Sequence, residues 1–530
     1  MGSPLPTEAL AWQDWPRREW QQPETKGEGS GVSCSGRSLM VVGTSSHVGK
    51  TLLVTALCRI LKKAGKRVAP FKAQNMSLNA YVTPDGKEIA YAQALQAWAA
   101  GIPPAVEMNP ILLKPQGNLT SQIVLNGVAV GTYRAGEYYE RWFAPAWQAV
   151  KEALARLQQQ YDWILCEGAG SPAEVNLKHR DLANMRVALH LGSPTWLVAD
   201  IDRGGALAHV VGTLQLLEPE ERALIRGIVF NKFRGSRELL QPGLDWLENY
   251  TGIPVVGVLP WLDWVLPQED SMGIAANPLL WEDRRDRAGG QALREGRLEI
   301  AVVRLPQVAN FSDFDPLLAE PTVHLRWVHL GQSLGSPDVV ILPGSKTTLN
   351  DLFALQKTGL AEQLRQYSGH IVGICGGLQM LGETIADPEG WEGIAGTYPG
   401  LGFLPLTTVL QPTKVTQQVQ TQSRWPALAP IQGYEIHQGS TQADPSGCLP
   451  LFEQENLGWR DPTGRIWGSY LHGLFDNHLW RRQWLNWLRR QKGWDPLPDL
   501  EGHYAQQREQ LLERLADLWQ PHLDLGLLME

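Results

Sequence analysis

The sequence predicts an α/β fold of two units, each built on a parallel sheet covered by helices. Short apolar runs, the first at residues 38–42, alternate with helical patterns through the first half of the chain. The same alternation starts again at 298–305, after a charged, glycine-containing stretch at 282–290. Short buried strands separated by helices are typical of parallel sheets, and the charged stretch indicates a solvated linker.

The predicted elements set the domain boundaries. Strands are expected at 38–42, 163–166, 195–199, 225–230 and 255–259 in the first unit, and at 298–305, 339–342 and 371–374 in the second. The expected organisation is a flexible N-terminal extension at 1–37, a first domain at 38–268, a linker at 269–297, a second domain at 298–492 and a C-terminal helical tail at 493–530.

Length and charge limit the possible functions. The 530 residues suffice for two or three domains, and 43% hydrophobic with 19% charged residues is ordinary for a soluble enzyme. The net charge of -8 excludes a global basic surface for nucleic acid. The five cysteines form no CxxC pair, which argues against disulfides or zinc. Because no secretory signal and no long apolar run is seen, we expect a cytoplasmic protein without a membrane span.

A phosphate-binding loop follows the first strand. Residues 43–51 read Gly-Thr-Ser-Ser-His-Val-Gly-Lys-Thr, a Walker A-like loop between a strand and a helix, with one residue more than usual between its glycines. Glycines let the backbone wrap around phosphate, and the helix N-terminus favours the anion. We expect ATP to contact Gly43, Thr44, Gly49 and Lys50, and Mg²⁺ to bind the Thr51 hydroxyl.

Three further residues are candidates for the same site. Glu167 ends a predicted strand beside a glycine loop, where a second Mg²⁺ ligand is expected. Glu88 is another metal candidate in a less specific context. Lys72 is a candidate to pair with the transferred phosphoryl group, although a surface role is equally compatible with an isolated lysine.

The second unit contains a candidate thiol nucleophile. Cys375 follows the strand at 371–374 and precedes two glycines and a helix, which is the sulfur version of a nucleophile elbow. The helix N-terminus favours the thiolate. His472 is the first candidate for the base, and His437 is the second. Backbone N–H groups at Gly344 and Gly376 are expected to form an oxyanion hole.

Together these segments resemble the cobyric acid synthases, the glutamine-hydrolysing enzymes of cobalamin biosynthesis. The loop at 43–51 is similar to that of dethiobiotin-synthetase-like ATPases. Further segments typical of the family are Phe-Lys-Ala-Gln-Asn-Met-Ser at 71–77, Ala-Gln-Ala-Leu-Gln at 92–96, Ala-Asp-Ile-Asp-Arg-Gly-Gly at 199–205 and Phe-Asn-Lys-Phe-Arg-Gly at 230–235, with the Cys375 elbow, 433–439 and 470–475 in the glutaminase half. The resemblance implies a P-loop domain followed by a class I-type glutamine amidotransferase domain.

The resemblance also implies a reaction. Cys375 would attack the glutamine amide and release ammonia, with His472 moving the protons. The first domain would use ATP and Mg²⁺ to phosphorylate a carboxylate, which ammonia converts to an amide. The family does this on four carboxylates (b, d, e and g) of the corrinoid adenosylcobyrinic acid a,c-diamide. The corrin would lie near the helix at 92–100 or the loop at Arg203.

Some alternatives stay open at this stage. Leu474 stands where the usual glutaminase triad has its Glu, so the third catalytic member is not identified, and neither is the oligomeric state. Cobyrinic acid a,c-diamide synthase has the same domain order. A P-loop regulatory ATPase with a degenerate glutaminase module would hydrolyse ATP without glutaminase activity. A dethiobiotin-type ligase would not need the second domain.

Overall fold

The computed structural model describes residues 36–117, 119–262, 296–393, 395–498 and 504–529. The predicted extension at 1–37 lies outside this part of the chain except for its last two residues. The same holds for the predicted linker at 269–297, of which only the last two residues are described. The two predicted α/β units are both present.

The first unit is built on a six-stranded, fully parallel sheet. Its strand order is Val255–Pro260, Ile225–Phe233, Thr195–Asp200, Arg37–Gly43, Trp163–Glu167 and Val68–Phe71. Helices at Lys50–Lys63, Ala135–Gln160, Met185–Leu191, Ala206–Leu216 and Arg237–Thr251 accompany it. The strands are almost continuously buried, as expected for a sheet covered on both faces. The first strand lies at the centre, so its phosphate loop opens at the middle of the sheet edge.

Of the insertion between the second and third strands of this sheet, only the helix at 92–100 was predicted. It contains a hairpin, Ala80–Val82 with Glu88–Ala90, and the buried helix Tyr91–Ala100. A second, four-stranded sheet follows, with the order Gln74–Met76, Ile111–Gly117, Thr120–Leu125 and Val128–Arg134. We refer to the hairpin at 80–90 as the docking hairpin, because it makes the contacts with the second unit.

The second unit has a seven-stranded sheet. Its order is Val323–His329, Leu298–Arg304, Val339–Leu342, His370–Ile374, Ile466–Ser469, Gly458–Arg460 and Leu449–Pro450. The first five strands are parallel and the last two are antiparallel. Its helices include Thr348–Lys357, Leu360–Gln366, Gly376–Leu381 and His478–Gln491. The fold-class prediction of two α/β domains is confirmed.

A separate five-stranded sheet extends the second unit toward the first. Its order is Gly396–Pro399, Thr384–Asp387, Leu406–Ser423, Ala429–Ala443 and Leu471–His472. The two long strands receive the docking hairpin: the Tyr434 hydroxyl donates to the Ala80 carbonyl (3.1 Å), and the Gln418 amide donates to the Val82 carbonyl. Apolar side chains from both units, including Val82 and Ile436, form one buried cluster there. The two units are therefore held together by a packed interface.

The C-terminal helix Tyr504–Trp519 packs on the first unit, although it follows the second in sequence. Leu512, Leu515 and Trp519 are buried in the same core as the helix Lys50–Lys63. Arg59 donates to Glu509 (2.7 Å) and Glu513 (2.9 Å) at its edge. The segment predicted as a tail is therefore part of the core behind the phosphate loop.

This packing predicts a position-dependent loss of stability. Leu515→Ala leaves a cavity in the buried face of the C-terminal helix and should lower the free energy of unfolding by about 2–5 kcal/mol. Leu518→Ala, on the exposed face of the same helix, is the matched control and should change it little. Denaturant titration followed by tryptophan fluorescence would measure both. Equal losses from the two variants would contradict the packing described above.

Candidate active site

The phosphate loop has the backbone shape that its glycines predict. The strand Arg37–Gly43 ends at the loop, and the helix Lys50–Lys63 begins directly after it. Gly49 has a φ of 99°, and a Cβ there would lie 2.1 Å from the Asn231 side-chain nitrogen, so only glycine fits. Asn231 donates to the Val48 carbonyl (2.8 Å) and supports the turn.

The polar groups of the loop point inward and suit an anion. The Lys50 ammonium donates to the Ser45 carbonyl (3.1 Å) and the Gly170 carbonyl (2.9 Å), which holds it across the mouth of the loop. The Thr44 hydroxyl is buried and has no hydrogen-bond partner within the described residues. A buried hydroxyl of this kind needs a partner, which a phosphate oxygen can provide. The loop therefore fits a nucleoside triphosphate.

Glu167 is the centre of the charged network beside the loop. Its carboxylate accepts hydrogen bonds from the Thr51 hydroxyl (2.7 Å), the Lys72 ammonium (2.8 Å) and the Gln96 amide (2.6 Å). The structure thus brings together Thr51, Lys72 and Glu167, which are far apart in sequence. Gln96 was not singled out individually, although its segment was recognised as typical of the family.

The donor set at Glu167 fits Mg²⁺ bound mainly through phosphate. One hydroxyl and one carboxylate oxygen are the hard ligands that Mg²⁺ takes alongside phosphate and water. No group of three or more His, Cys, Asp or Glu side chains in the described ranges could hold a metal by itself. Thr51 and Glu167 as metal ligands stay predictions that this geometry favours.

Glu88 lies in a different environment from the one predicted for it. It is buried in the docking hairpin, where its carboxylate accepts hydrogen bonds from Lys114 (2.6 Å) and Lys414 (2.5 Å). Burial favours the neutral acid, but the two ammonium groups outweigh it and hold the pKa of Glu88 well below its usual range. Since Lys414 belongs to the second unit, these contacts favour an ion pair between the units over the predicted metal role.

The backbone at Cys375 is that of a nucleophile elbow. Cys375 has a φ of 50° and lies between the strand His370–Ile374 and the helix Gly376–Leu381. A non-glycine residue in this conformation is strained and is held there by its surroundings. At Gly377 a Cβ would lie 2.0 Å from the Leu342 carbonyl oxygen, so the turn requires glycine. The predicted elbow is therefore present.

His472 lies beside Cys375 and is oriented by Asp313. Its Nδ1 is 2.7 Å from Asp313 Oδ2, and the other oxygen of Asp313 accepts the Gly473 N–H (2.9 Å). Burial alone would lower the pKa of His472, but the Asp313 carboxylate and the hydrogen bond with Cys375 raise it to about 10. The imidazolium therefore persists at neutral pH and places a positive charge and a proton donor beside the Cys375 sulfur.

His437, the alternative base, has both ring nitrogens engaged elsewhere. Its Nδ1 lies 2.8 Å from the Gly439 carbonyl oxygen and its Nε2 lies 3.1 Å from Glu435. The ring also stacks on Tyr470, with 3.8 Å between centroids. His437 therefore lines the pocket with both ring nitrogens engaged. His472 is the better candidate for the base.

Asp313 is the carboxylate partner of His472 that the sequence did not reveal. It lies in the short helical turn Phe311–Phe314, 159 residues before His472 in the chain. The glutaminase resemblance directed attention to the position two residues after His472, which is the apolar Leu474. Asp313 lies in the sequence Phe-Ser-Asp-Phe-Asp, and nothing in this local pattern predicts contact with a histidine far along the chain. Only the folded chain brings the carboxylate to the imidazole.

The two candidate oxyanion residues also lie at this site. Gly344 lines the same pocket as Cys375 and His472, and a Cβ at Gly344 would lie 3.4 Å from the His472 ring. Gly376 begins the helix after Cys375, and a Cβ there would lie 2.9 Å from the Ser345 nitrogen. Their roles as N–H donors stay predictions, since these contacts place the backbone close to the thiol without defining the oxyanion.

The predicted places for the corrin differ in exposure. The helix Tyr91–Ala100 is buried almost throughout, and it contributes Tyr91 and Trp98 to the lining of a pocket. Arg203 is 61% exposed and lies beside Asp200, which accepts a hydrogen bond from Lys232 (2.6 Å). Lys232 also donates to the His47 carbonyl of the phosphate loop (2.8 Å). The Arg203 loop is thus the better of the two candidates.

Both halves match known domain families. Residues 39–271 match the CobQ/CobB/MinD/ParA nucleotide binding domain, and residues 299–480 match the CobB/CobQ-like glutamine amidotransferase domain. With the phosphate loop in one half and the Cys–His–Asp arrangement in the other, these matches define the class. The chain is a glutamine-hydrolysing amidotransferase of the ligase type, with its own nucleotide-binding domain.

Similar proteins identify the family. The chain is 98% identical over 499 residues to the cobyric acid synthase of Synechococcus sp. (strain JA-2-3B'a(2-13)), covering 94% of this chain and 100% of that one. It is 62% identical to the cobyric acid synthase of Gloeobacter violaceus, covering 92% and 97% of the two chains. It is 58% identical to that of Thermosynechococcus vestitus, covering 92% and 98%. The chain belongs to the cobyric acid synthase family.

The orientation of His472 predicts the effect of removing the Asp313 charge. Asp313→Asn should lower kcat for glutamine hydrolysis by about 10²–10⁴-fold, because the imidazole loses its orientation and its counter-charge. The pKa of His472 should fall, since the Asp313 carboxylate is the first of the groups that raise it. Alkylation of Cys375 by iodoacetamide, followed across pH by peptide mass spectrometry, would detect this change in the thiolate–imidazolium pair.

Asp315 provides the matched control for that variant. It is buried nearby, and burial together with Asp476 and Asp313 raises its pKa well above the usual range, which favours the neutral acid. Asp315→Asn is close in shape to the protonated acid and should leave glutamine hydrolysis nearly unchanged. If both variants lost activity equally, a general electrostatic effect would replace the specific role of Asp313.

Proposed function

We propose that this protein amidates four carboxylates (b, d, e and g) of adenosylcobyrinic acid a,c-diamide, using ATP and ammonia taken from glutamine. The observation that carries the proposal is the presence, in one packed body, of a phosphate loop next to Glu167 and a buried thiol next to an imidazole–carboxylate pair. The first set activates a carboxylate, and the second releases ammonia. The names of the similar proteins support this substrate over cobyrinic acid.

The first unit would activate the substrate carboxylate. Lys50 and the loop N–H groups bind the phosphates of ATP, and Lys72 stabilises charge on the transferred phosphoryl group. Mg²⁺, held by Thr51 and Glu167 when bound, would neutralise phosphate charge. A substrate carboxylate oxygen attacks the terminal phosphorus, giving an acyl phosphate and ADP. Ammonia then attacks the acyl carbon, and phosphate leaves.

The second unit would release the ammonia. The Cys375 thiolate attacks the glutamine amide carbon, and His472 protonates the leaving nitrogen. Water then cleaves the glutamyl thioester, giving glutamate and the free thiol. N–H groups at Gly344 and Gly376 would stabilise the oxyanion in both steps.

The corrin would bind near the exposed arginines beside the phosphate loop. Arg203 is 61% exposed and Arg234 is 58% exposed, and each is held by an aspartate, at 3.6 Å and 3.3 Å respectively. A ligand with several carboxylates suits exposed guanidinium groups, which bind carboxylates through paired N–H donors. Their position next to His47 and Lys232 would bring such carboxylates to the phosphate loop.

The packed interface between the two units supports the proposal that ammonia is transferred inside the protein. Free ammonia is mostly ammonium at neutral pH, whereas the attack on an acyl phosphate needs the neutral form. Buried amides lead away from Glu167: Gln96 contacts Gln93 (3.3 Å), and Asn75 donates to Gln93 (2.9 Å). Holding the reactants together contributes about 7–11 kcal/mol in favourable cases. We therefore propose that ammonia passes between the units without equilibrating with solvent.

The location proposed for the enzyme is the cytoplasm. The described cysteines are all free, and Cys375 must stay reduced to act as a nucleophile. No helix in the described ranges is both long and apolar enough to cross a bilayer. ATP and glutamine are both supplied in that compartment.

The substrate assignment is tested by product mass. Incubation of adenosylcobyrinic acid a,c-diamide with the protein, ATP, Mg²⁺ and glutamine should give a product with four added amides, resolved by mass spectrometry. Cobyrinic acid in place of the diamide is the comparison substrate. Preferential amidation of cobyrinic acid at its a and c positions would assign the chain to the diamide synthase reaction instead.

The separation of the two sites predicts a selective loss. Cys375→Ser should abolish amidation with glutamine, because serine is far less nucleophilic at neutral pH, but should retain amidation with ammonium salts. Cys448→Ser is the control, since this thiol lies outside the site and should be dispensable. Corrin amidation would be measured with each nitrogen source. Loss of the ammonium-dependent reaction in Cys375→Ser would refute the division of roles.

A further inference from the structure

Three lysines face the pocket into which Cys375 opens. Lys114, Lys346 and Lys414 line it together with His472. Lys114 comes from the first unit and the other two come from the second, so the pocket is completed only when the units are docked. A concentration of positive charge beside a thiol nucleophile needs a chemical explanation.

Two of these lysines are already paired. Glu88 binds both Lys114 (2.6 Å) and Lys414 (2.5 Å), so a single carboxylate serves two ammonium groups. Glu392 also lines the pocket, and its carboxylate accepts the Leu349 N–H (2.8 Å). Glu392 is the one acid among the lining residues, and Glu88 contacts Lys114 and Lys414 from outside the pocket, so the three lysines outnumber the carboxylates beside them.

Lys346 is the lysine without a direct ion pair in the described residues, and Glu392 and Glu88 act on it only from a longer distance. It is half-buried, and within the described part of the chain its ammonium has no hydrogen-bond acceptor and no carboxylate within ion-pair distance. Its backbone N–H donates to the Gln307 carbonyl (2.9 Å), which fixes the loop that carries it. Burial, with Lys414 and Lys114 nearby, lowers the pKa of Lys346 to about 7. An anion in the pocket would restore its charged form.

The anion must be part of a molecule that also reaches Cys375. Glutamine meets this requirement, because its amide carbon and its α-carboxylate are four bonds apart and one pocket must hold both. Its side chain carries no charge, so the α-carboxylate is the only anionic group that the site can recognise. A buried charge-assisted hydrogen bond to that group would distinguish free glutamine from other primary amides.

We propose that Lys346 binds the α-carboxylate of glutamine and thereby selects free glutamine as the nitrogen donor. This inference rests on the proposed glutaminase function of Cys375. It adds a specificity-determining residue on the loop that follows the strand Val339–Leu342. Glu88 supports this role indirectly. Its ion pair with Lys414 neutralises that lysine, which leaves Lys346 as the ammonium available to the substrate.

The test compares two substrates that differ only in the carboxylate. 4-Aminobutanamide has the amide and the chain of glutamine but no α-carboxylate. Lys346→Met should raise KM for glutamine on the order of 100-fold without changing kcat, because the lost contact is equal in ground and transition states. Hydrolysis of 4-aminobutanamide by the wild type should be poor, and Lys346→Met should leave it unchanged. Lys346→Arg should retain most of the preference for glutamine.

Control experiments distinguish a wrong role for Lys346 from a wrong assignment of the glutaminase function. Amidation with ammonium bypasses the pocket and should be unchanged in Lys346→Met, which shows that the variant is folded. Lys357→Met, on an exposed helix position, should behave as wild type. A fall in kcat at unchanged KM, or equal losses with both substrates, would overturn the carboxylate role. Absence of any wild-type glutamine hydrolysis would instead refute the glutaminase assignment itself.

Discussion

The packing of the docking hairpin against the long strands of the second unit is the contact on which the rest of the structure depends. Tyr434 and Ile436 bury their side chains against Val82 and its neighbours, so the interface has an apolar centre. Buried apolar contact of this kind is the main favourable term in association. The same interface buries the ion pair between Glu88 and Lys414, so solvent does not screen the attraction between the two charges.

Both sites use a buried carboxylate to hold a cation in place. Glu167 holds Lys72 beside the phosphate loop, and Asp313 holds His472 beside Cys375. A buried charge is costly unless it is paired and hydrogen-bonded, so each pair is stable only in the assembled geometry. The chemistry therefore depends on packing well beyond the reacting groups, which explains why the hairpin, the helix Tyr91–Ala100 and the C-terminal helix all contribute.

Local patterns predicted much of this arrangement. The Gly-Lys-Thr loop and the Cys-Gly-Gly elbow were recognised because each requires particular residues at neighbouring positions. At Gly49 and Gly377 the structure leaves no room for a side chain. Because both turns require glycine at these positions, the two motifs could be recognised from the sequence. The alternation of apolar strands and helices likewise predicted both parallel sheets. The C-terminal helix was recognised, but its partner was not, because an apolar helix face does not encode what it packs against.

What the sequence determined by itself is the set of short-range motifs: two α/β units, a phosphate loop and a reactive thiol. What only the tertiary structure decided is which distant groups complete them. Asp313 reaches His472 from 159 residues away, and Glu88, a metal candidate in a less specific sequence context, pairs with Lys414 of the second unit. The physical reason is that local geometry is encoded by neighbouring residues. A long-range ion pair depends on how separate elements pack, and no spacing in the chain records that.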